Sequence, residues 1–138
     1  MTSIKMELLD RTLWKDKTGR LHRVDGPAIE RIDGTNEWYL NGKLHRVGAP
    51  AVNKYNGTTM WYFNGVLHRV DGPAITVPND RKEWWFEGKR HRLDGPAIEY
   101  SDGIKNQWWS YGFSFLSKEE WFNTLSKEDQ ITYLFNIE

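Results

Sequence analysis

Four histidines, His22, His45, His68 and His91, recur every 23 residues, and each is followed directly by an arginine: Arg23, Arg46, Arg69 and Arg92. Three of them also have an aspartate three residues on: Asp25, Asp71 and Asp94. Imidazole titrates near neutral pH and is the commonest general acid or base. With a carboxylate and a hydroxyl it builds a hydrolytic triad, and several imidazoles converging on one point hold zinc. The spacing argues against each chemistry. Histidines one repeat apart in a linear array do not converge on a metal. No serine or threonine recurs beside the His–Asp pairs, and four equivalent copies leave no single histidine in a distinct environment. Catalytic residues, metal ligands and a cofactor are therefore not expected, and the motif reads as architecture.

The elements that carry it follow the same period. Pro27, Pro50, Pro73 and Pro96 repeat at 23, as do Ala28, Ala51, Ala74 and Ala97, and Trp38, Trp61 and Trp84. Trp108 falls one residue late, which places an extra residue between Ile98 and Trp108, near Asp102-Gly103. Repeats of this length indicate an array in which each unit buries its apolar face against its neighbours. The units run at about 19–41, 42–64, 65–87 and 88–111. Within each, Asp-Gly or Asn-Gly separates short β-prone runs, the strongest short signal of a hairpin. Proline after Asp-Gly suits the start of a strand.

Two-residue loops at both turns would set the register. Around Asn41-Gly42, Tyr39 faces Leu44 and Trp38 faces His45; around Asp33-Gly34, Ile29 faces Trp38. Side chains alternate along a strand, so Ile29, Trp38, Leu40 and His45 would share one face. Ala28, Tyr39, Leu44 and Arg46 would share the other. The first is the more apolar and is expected to be the core, with histidine packing on tryptophan; Phe63 and Phe86 take the place of Leu40 in later units.

Composition bounds the rest. The 138 residues suit one array without a second catalytic domain. Eight tryptophans among only 38 % hydrophobic residues concentrate burial in few large side chains. The zero net charge removes the footprint of a duplex nucleic-acid binder. Without cysteine there are no disulfides. No run is long and apolar enough for a membrane span, and no signal-peptide core is apparent, so the cytoplasm is the expected location. After residue 116 the pattern changes. Ser117 and Ser126 each precede an acidic residue at the third position, the signature of a capped helix start. Trp121, Phe122 and Leu125, then Ile131, Leu134 and Phe135, follow at helical spacing. The expectation is a β-hairpin array over 1–116 and two short helices over 117–138 that cover its open end. "LLDRTLW" reads as a degenerate opening strand pair, without a decided structure for residues 1–13.

The segments "HRVDGPA", "HRVGAPA", "HRVDGPA" and "HRLDGPA" resemble those of MORN-variant repeat proteins, many of them encoded by bacteriophages. The resemblance covers roughly residues 14–116. It departs in the second copy, where Gly48-Ala49 replaces Asp-Gly. It implies a mainly β, elongated antiparallel hairpin array of about four units. It also implies an interaction role, in a phage setting one directed at a host protein, such as antagonism of a defence system in the host cytoplasm.

Binding is expected on the second face. There Tyr39, Tyr62, Trp85 and Trp109 form an aromatic row flanked by Arg46, Arg69 and Arg92, the residue types of interaction hot spots. Two readings follow. One is a non-catalytic module that binds a partner protein. The other is a protein that sequesters a small nucleotide-like ligand between aromatic and arginine side chains. Homo-oligomerisation is compatible with either. His22, His45, His68, His91, Trp38, Trp61, Trp84 and Trp108 form the structural repeat motif.

Overall fold

The computed structural model describes residues 2–137. The chain is mainly β and wholly antiparallel, with two helices at its C-terminal end. It opens on β1 (Ile4–Glu7) and β2 (Arg11–Lys15). Three units of four strands follow. The first holds β3 (Ile29–Arg31), β4 (Asn36–Glu37), β5 (Tyr39–Leu40) and β6 (Lys43–Leu44). The second holds β7 (Val52–Asn53), β8 (Thr59–Met60), β9 (Tyr62–Phe63) and β10 (Val66–Leu67). The third holds β11 (Ile75–Val77), β12 (Arg81–Glu83), β13 (Trp85–Phe86) and β14 (Lys89–Arg90). A last, altered unit has β15 (Ile98–Tyr100), β16 (Trp108–Ser110) and β17 (Phe113–Phe115).

Each unit is divided between two sheet systems. The first two strands join a nine-stranded sheet in the order β1-β2-β3-β4-β7-β8-β11-β12-β15. The last two form a separate hairpin: β5-β6, β9-β10, β13-β14 and β16-β17. Tryptophan is the joint. The Trp38 N–H donates to the Ala51 carbonyl of the next unit, while its own carbonyl accepts from the His45 N–H. Trp61 and Trp84 repeat both bonds. Successive hairpins are tied together as well: the Gly65 N–H donates to Leu44 and the Gly88 N–H to Leu67.

This division corrects the expected register. Asn41-Gly42 makes the two-residue turn, with Tyr39 opposite Leu44 and φ of 51° and 80° at its two residues. Asp33-Gly34 does not. Arg31 pairs with Thr35 around a three-residue loop in which Gly34 takes the positive φ, so Ile29 lies opposite Glu37 and not Trp38. Asn56-Gly57 behaves alike, with Val52 opposite Met60. A three-residue loop with a glycine bulge answers to the same dipeptide, and a one-residue shift turns the following side chains over.

The core changes accordingly. Ala28, Ala51, Ala74 and Ala97 are fully buried, and beside them lie Ile29, Val52, Ile75 and Ile98. The alanines thus leave the face assigned to them, and Phe63 is exposed instead of joining the core. The extra residue of the last unit is absorbed in the loop before the Ile98–Gln107 bridge. There the Tyr100 N–H donates to the Asn106 side chain.

Helices α1 (Lys118–Thr124) and α2 (Lys127–Asn136) begin as expected: Ser117 accepts from the Glu120 N–H and Ser126 from the Asp129 N–H. Trp121, Leu125 and Tyr133 are buried against Trp108, Phe115 and Leu93 of the last unit. On α2 the inward residue is Tyr133, while Ile131, Leu134 and Phe135 face outward and are exposed. The apolar spacing alone pointed those three inward; the packing of Tyr133 against Trp121 and Trp108 decides otherwise.

Candidate functional site

The repeated motif builds one arrangement several times. In each copy the arginine lies flat on a tryptophan ring: Arg23 on Trp14, Arg46 on Trp38 and Arg69 on Trp61, each at 3.9 Å, and Arg92 on Trp84 at 3.7 Å. A guanidinium over an indole face is attracted by the ring quadrupole and covers its apolar surface. Each of these arginines also donates to the carbonyl of the proline four residues on. Three of them bond the aspartate two residues on, Asp25, Asp71 or Asp94, at 2.7–3.0 Å. Hydrogen bonding to arginine holds the carboxyls of Asp25 and Asp71 below the usual range, so they remain ionised acceptors. In the second unit Gly48 stands at the aspartate position, yet Arg46 keeps both its tryptophan and its Pro50 carbonyl.

Trp38 and Arg46, expected on opposite faces, are therefore in contact. The histidines pack elsewhere. His45 lies 4.6 Å from Phe63 and His68 lies 4.8 Å from Phe86, in each case a ring of the next unit. His91 stacks on Tyr111 at 3.8 Å. The Nδ1 atoms of His22, His45, His68 and His91 accept the backbone N–H of Asn41, Asn64, Glu87 and Tyr111 at 2.9–3.1 Å. Through this bond each imidazole clamps the turn of the next hairpin.

The aromatic row of Tyr39, Tyr62, Trp85 and Trp109 lies half-buried on the hairpins. Its polar atoms turn back to the long sheet: the Tyr39 hydroxyl donates to Glu37, the Trp85 indole to Glu83 and the Trp109 indole to Gln107. Burial, with the Glu37 carboxylate close by, pushes the Tyr39 phenol up to about 12. Arg90 lies between Trp85 and Trp109, 4.8 and 5.1 Å from their rings. Arg46, Arg69 and Arg92 reach this row through the backbone, where their N–H groups donate to Tyr62, Trp85 and Trp109.

Three features escaped the sequence reading. Trp14 with Arg23 forms an additional copy of the stack, and its place in the period is hidden by a three-residue loop at Lys17-Thr18-Gly19. Among the described residues no arginine stacks on Trp108; Trp121 of α1 covers it at 4.6 Å. Val24, Val47 and Val70, the variable positions of the motif, are 72, 77 and 81 % exposed on the loop tips. Clefts lie between successive loops. One of about 590 Å³ is bordered by Val24 and Val47 and reaches Trp38, His45 and Arg46. Another, of about 380 Å³, is bordered by Val70 and Leu93 and reaches Trp84 and Phe86.

No known protein family, curated protein or solved structure matches the chain. Among the described residues no three histidine, aspartate or glutamate side chains gather as metal ligands, and no helix is long and apolar enough to cross a membrane.

Proposed function

We propose that the chain is a non-catalytic interaction array of the MORN-variant kind. It takes an extended segment of a partner protein across the clefts between its His-Arg-x-Asp-Gly-Pro loops. The observation that carries this reading is the row of exposed Val24, Val47 and Val70 bordering clefts that reach the repeat tryptophans. Single exposed valines are ordinary, but valines repeated at one structural position form a ridge, and apolar ridges on soluble surfaces mark interaction sites. Each unit adds two strands to the long sheet, so successive clefts stand about 9–10 Å apart. A polyproline-type segment turns once in about 9.3 Å. A partner with an apolar side chain at every third residue would thus stay in step with the clefts.

The resemblance of the motif to phage-encoded repeats supports placing that partner among host proteins, with the host cytoplasm as the place of action. Sequestration of a nucleotide-like ligand is less well supported. It needs free guanidinium groups, whereas Arg46, Arg69 and Arg92 are already stacked on indoles and bonded to proline carbonyls.

Titration with designed peptides, followed by tryptophan fluorescence, tests the reading. Peptides with leucine at every third position should bind more tightly than isomers with leucine at every second. The variant Val24→Ser/Val47→Ser/Val70→Ser should lose that preference while keeping its fold. Equal response to both spacings, or an unchanged preference in the triple variant, contradicts the proposal.

A further inference from the structure

The two edges of the nine-stranded sheet differ. At β15 the chain covers its own edge, through the Ile98–Gln107 bridge and the Asn106 side chain on the Tyr100 N–H. At the other edge, β1 pairs with β2 on one side and with no described strand on the other. An edge strand with unpaired backbone groups is a template for another strand. We infer that β1 pairs antiparallel with β1 of a second copy of this chain, merging two nine-stranded sheets into one.

The register of that pair follows from hydrogen-bond phase and charge. The Leu8 N–H donates to the Arg11 carbonyl, and Met6 and Ile4 lie opposite Leu13 and Lys15. In an antiparallel ladder the bonded positions alternate. Ile4, Met6 and Leu8 therefore point their backbone groups at β2, and Lys5 and Glu7 point theirs outward. Only a register that sets outward residues opposite outward residues completes the new ladder. Lys5 opposite Lys5, or Glu7 opposite Glu7, would place like charges face to face, which destabilises a cross-strand pair. With the twofold axis at Met6, Lys5 lies opposite Glu7 of the other copy, and Glu7 opposite its Lys5. The strand is thus complementary in charge to itself in a register its backbone phase permits.

The same register gathers the apolar face. Ile4, Met6 and Leu8 are 55, 42 and 50 % exposed in the single chain. Across the pair, Met6 would meet Met6, and each Ile4 would meet Leu8. The Lys5–Glu7 bridge within one strand, at 2.6 Å between two exposed side chains, exchanges for bridges between strands with no charge left over.

Sedimentation velocity of the full chain across a concentration series tests the inference. The wild-type protein should show a reversible monomer–dimer equilibrium. Lys5→Glu and Glu7→Lys should each weaken dimerisation by about tenfold or more, because each sets like charges opposite one another twice. Mixing the two variants should restore the dimer, since one strand is then wholly acidic and the other wholly basic at these positions. Unchanged tryptophan fluorescence in the variants establishes that they remain folded. A wild-type protein that stays monomeric at the highest concentration overturns the inference. So do single variants that dimerise like the parent, or a mixture that remains monomeric.

Discussion

The guanidinium of Arg69 lies 3.9 Å over the indole of Trp61, from which eight positions separate it in the chain. From that place it donates to the Pro73 carbonyl and holds Asp71 at 2.8 Å. A residue that looks free for phosphate or carboxylate in the sequence is thus bound to the wall of its own repeat. Together with the histidine that clamps the next hairpin, it makes the repeated motif the mortar of the array and leaves the valine tips exposed. Four consequences can be measured.

The first concerns the glycine of the motif. A Cβ added at Gly95 would stand 2.7 Å from Cζ of Arg92, without any positive φ to explain the glycine. The guanidinium would have to leave the Trp84 face or the Pro96 carbonyl. Gly95→Ala should therefore lower stability by about 1–3 kcal/mol in urea unfolding, the usual penalty of overpacking. An unchanged midpoint would mean that the arginine is not held there.

The hairpin turn gives a different glycine effect. Gly65 has φ +84 with only the Lys43 side chain near its open side. Gly65→Val should cost about 1–3 kcal/mol through backbone strain alone. A variant that melts like its parent contradicts the two-residue turn at Asn64-Gly65.

The clamp at His91 makes stability depend on pH. In the unfolded chain histidine titrates near pH ~6.5. Burial holds His91 below its ordinary value, although the Asp129 carboxylate pulls the other way. The folded state thus binds this proton less readily than the unfolded one. The contribution is complete above pH ~6.5 and is lost as the pH falls through that value toward the lower folded one. Urea unfolding at pH 7.5 and 5.5 should show a drop for the wild type and a smaller drop for His91→Gln, which keeps an acceptor but does not titrate. Equal drops would remove His91 from the account.

At the end of the array Trp121 is fully buried over Trp108. Trp121→Ala should cost about 3–5 kcal/mol and expose the last hairpin. Hydrogen exchange should quicken in β16 and β17 before it does in β3 and β4, because stability in a repeat array is carried between neighbours. Uniform quickening along the chain would argue against a local cap.

Much of this was legible in the residues, and what was not has physical causes. Asn41-Gly42 declared a two-residue turn because both positions need positive φ, as they have. Asp33-Gly34 misled because the same dipeptide also serves a three-residue loop with one positive φ, and the shift moved the partner of Ile29 from Trp38 to Glu37. The Trp38–Arg46 stack was hidden for a different reason. A continuous strand would hold the two on opposite faces, whereas the chain changes sheets at Trp38. Periodicity found both helices through Ser117 and Ser126. It could not choose between Tyr133 and the neighbours Ile131, Leu134 and Phe135 as the inward side of α2, which depends on Trp108 and Trp121 waiting there. Val24, Val47 and Val70 stood in plain view as the variable letter of the motif, but only the loop geometry shows that they face outward.

The measurement that bears most directly on the motif as mortar is a double-mutant cycle on Trp61→Leu and Arg69→Met, read by urea unfolding at neutral pH. The stacked geometry predicts a coupling of about 0.5–2 kcal/mol between the two substitutions. Effects that add to within about 0.3–0.5 kcal/mol, as for residues that do not touch, would contradict it and return Arg69 to the free surface.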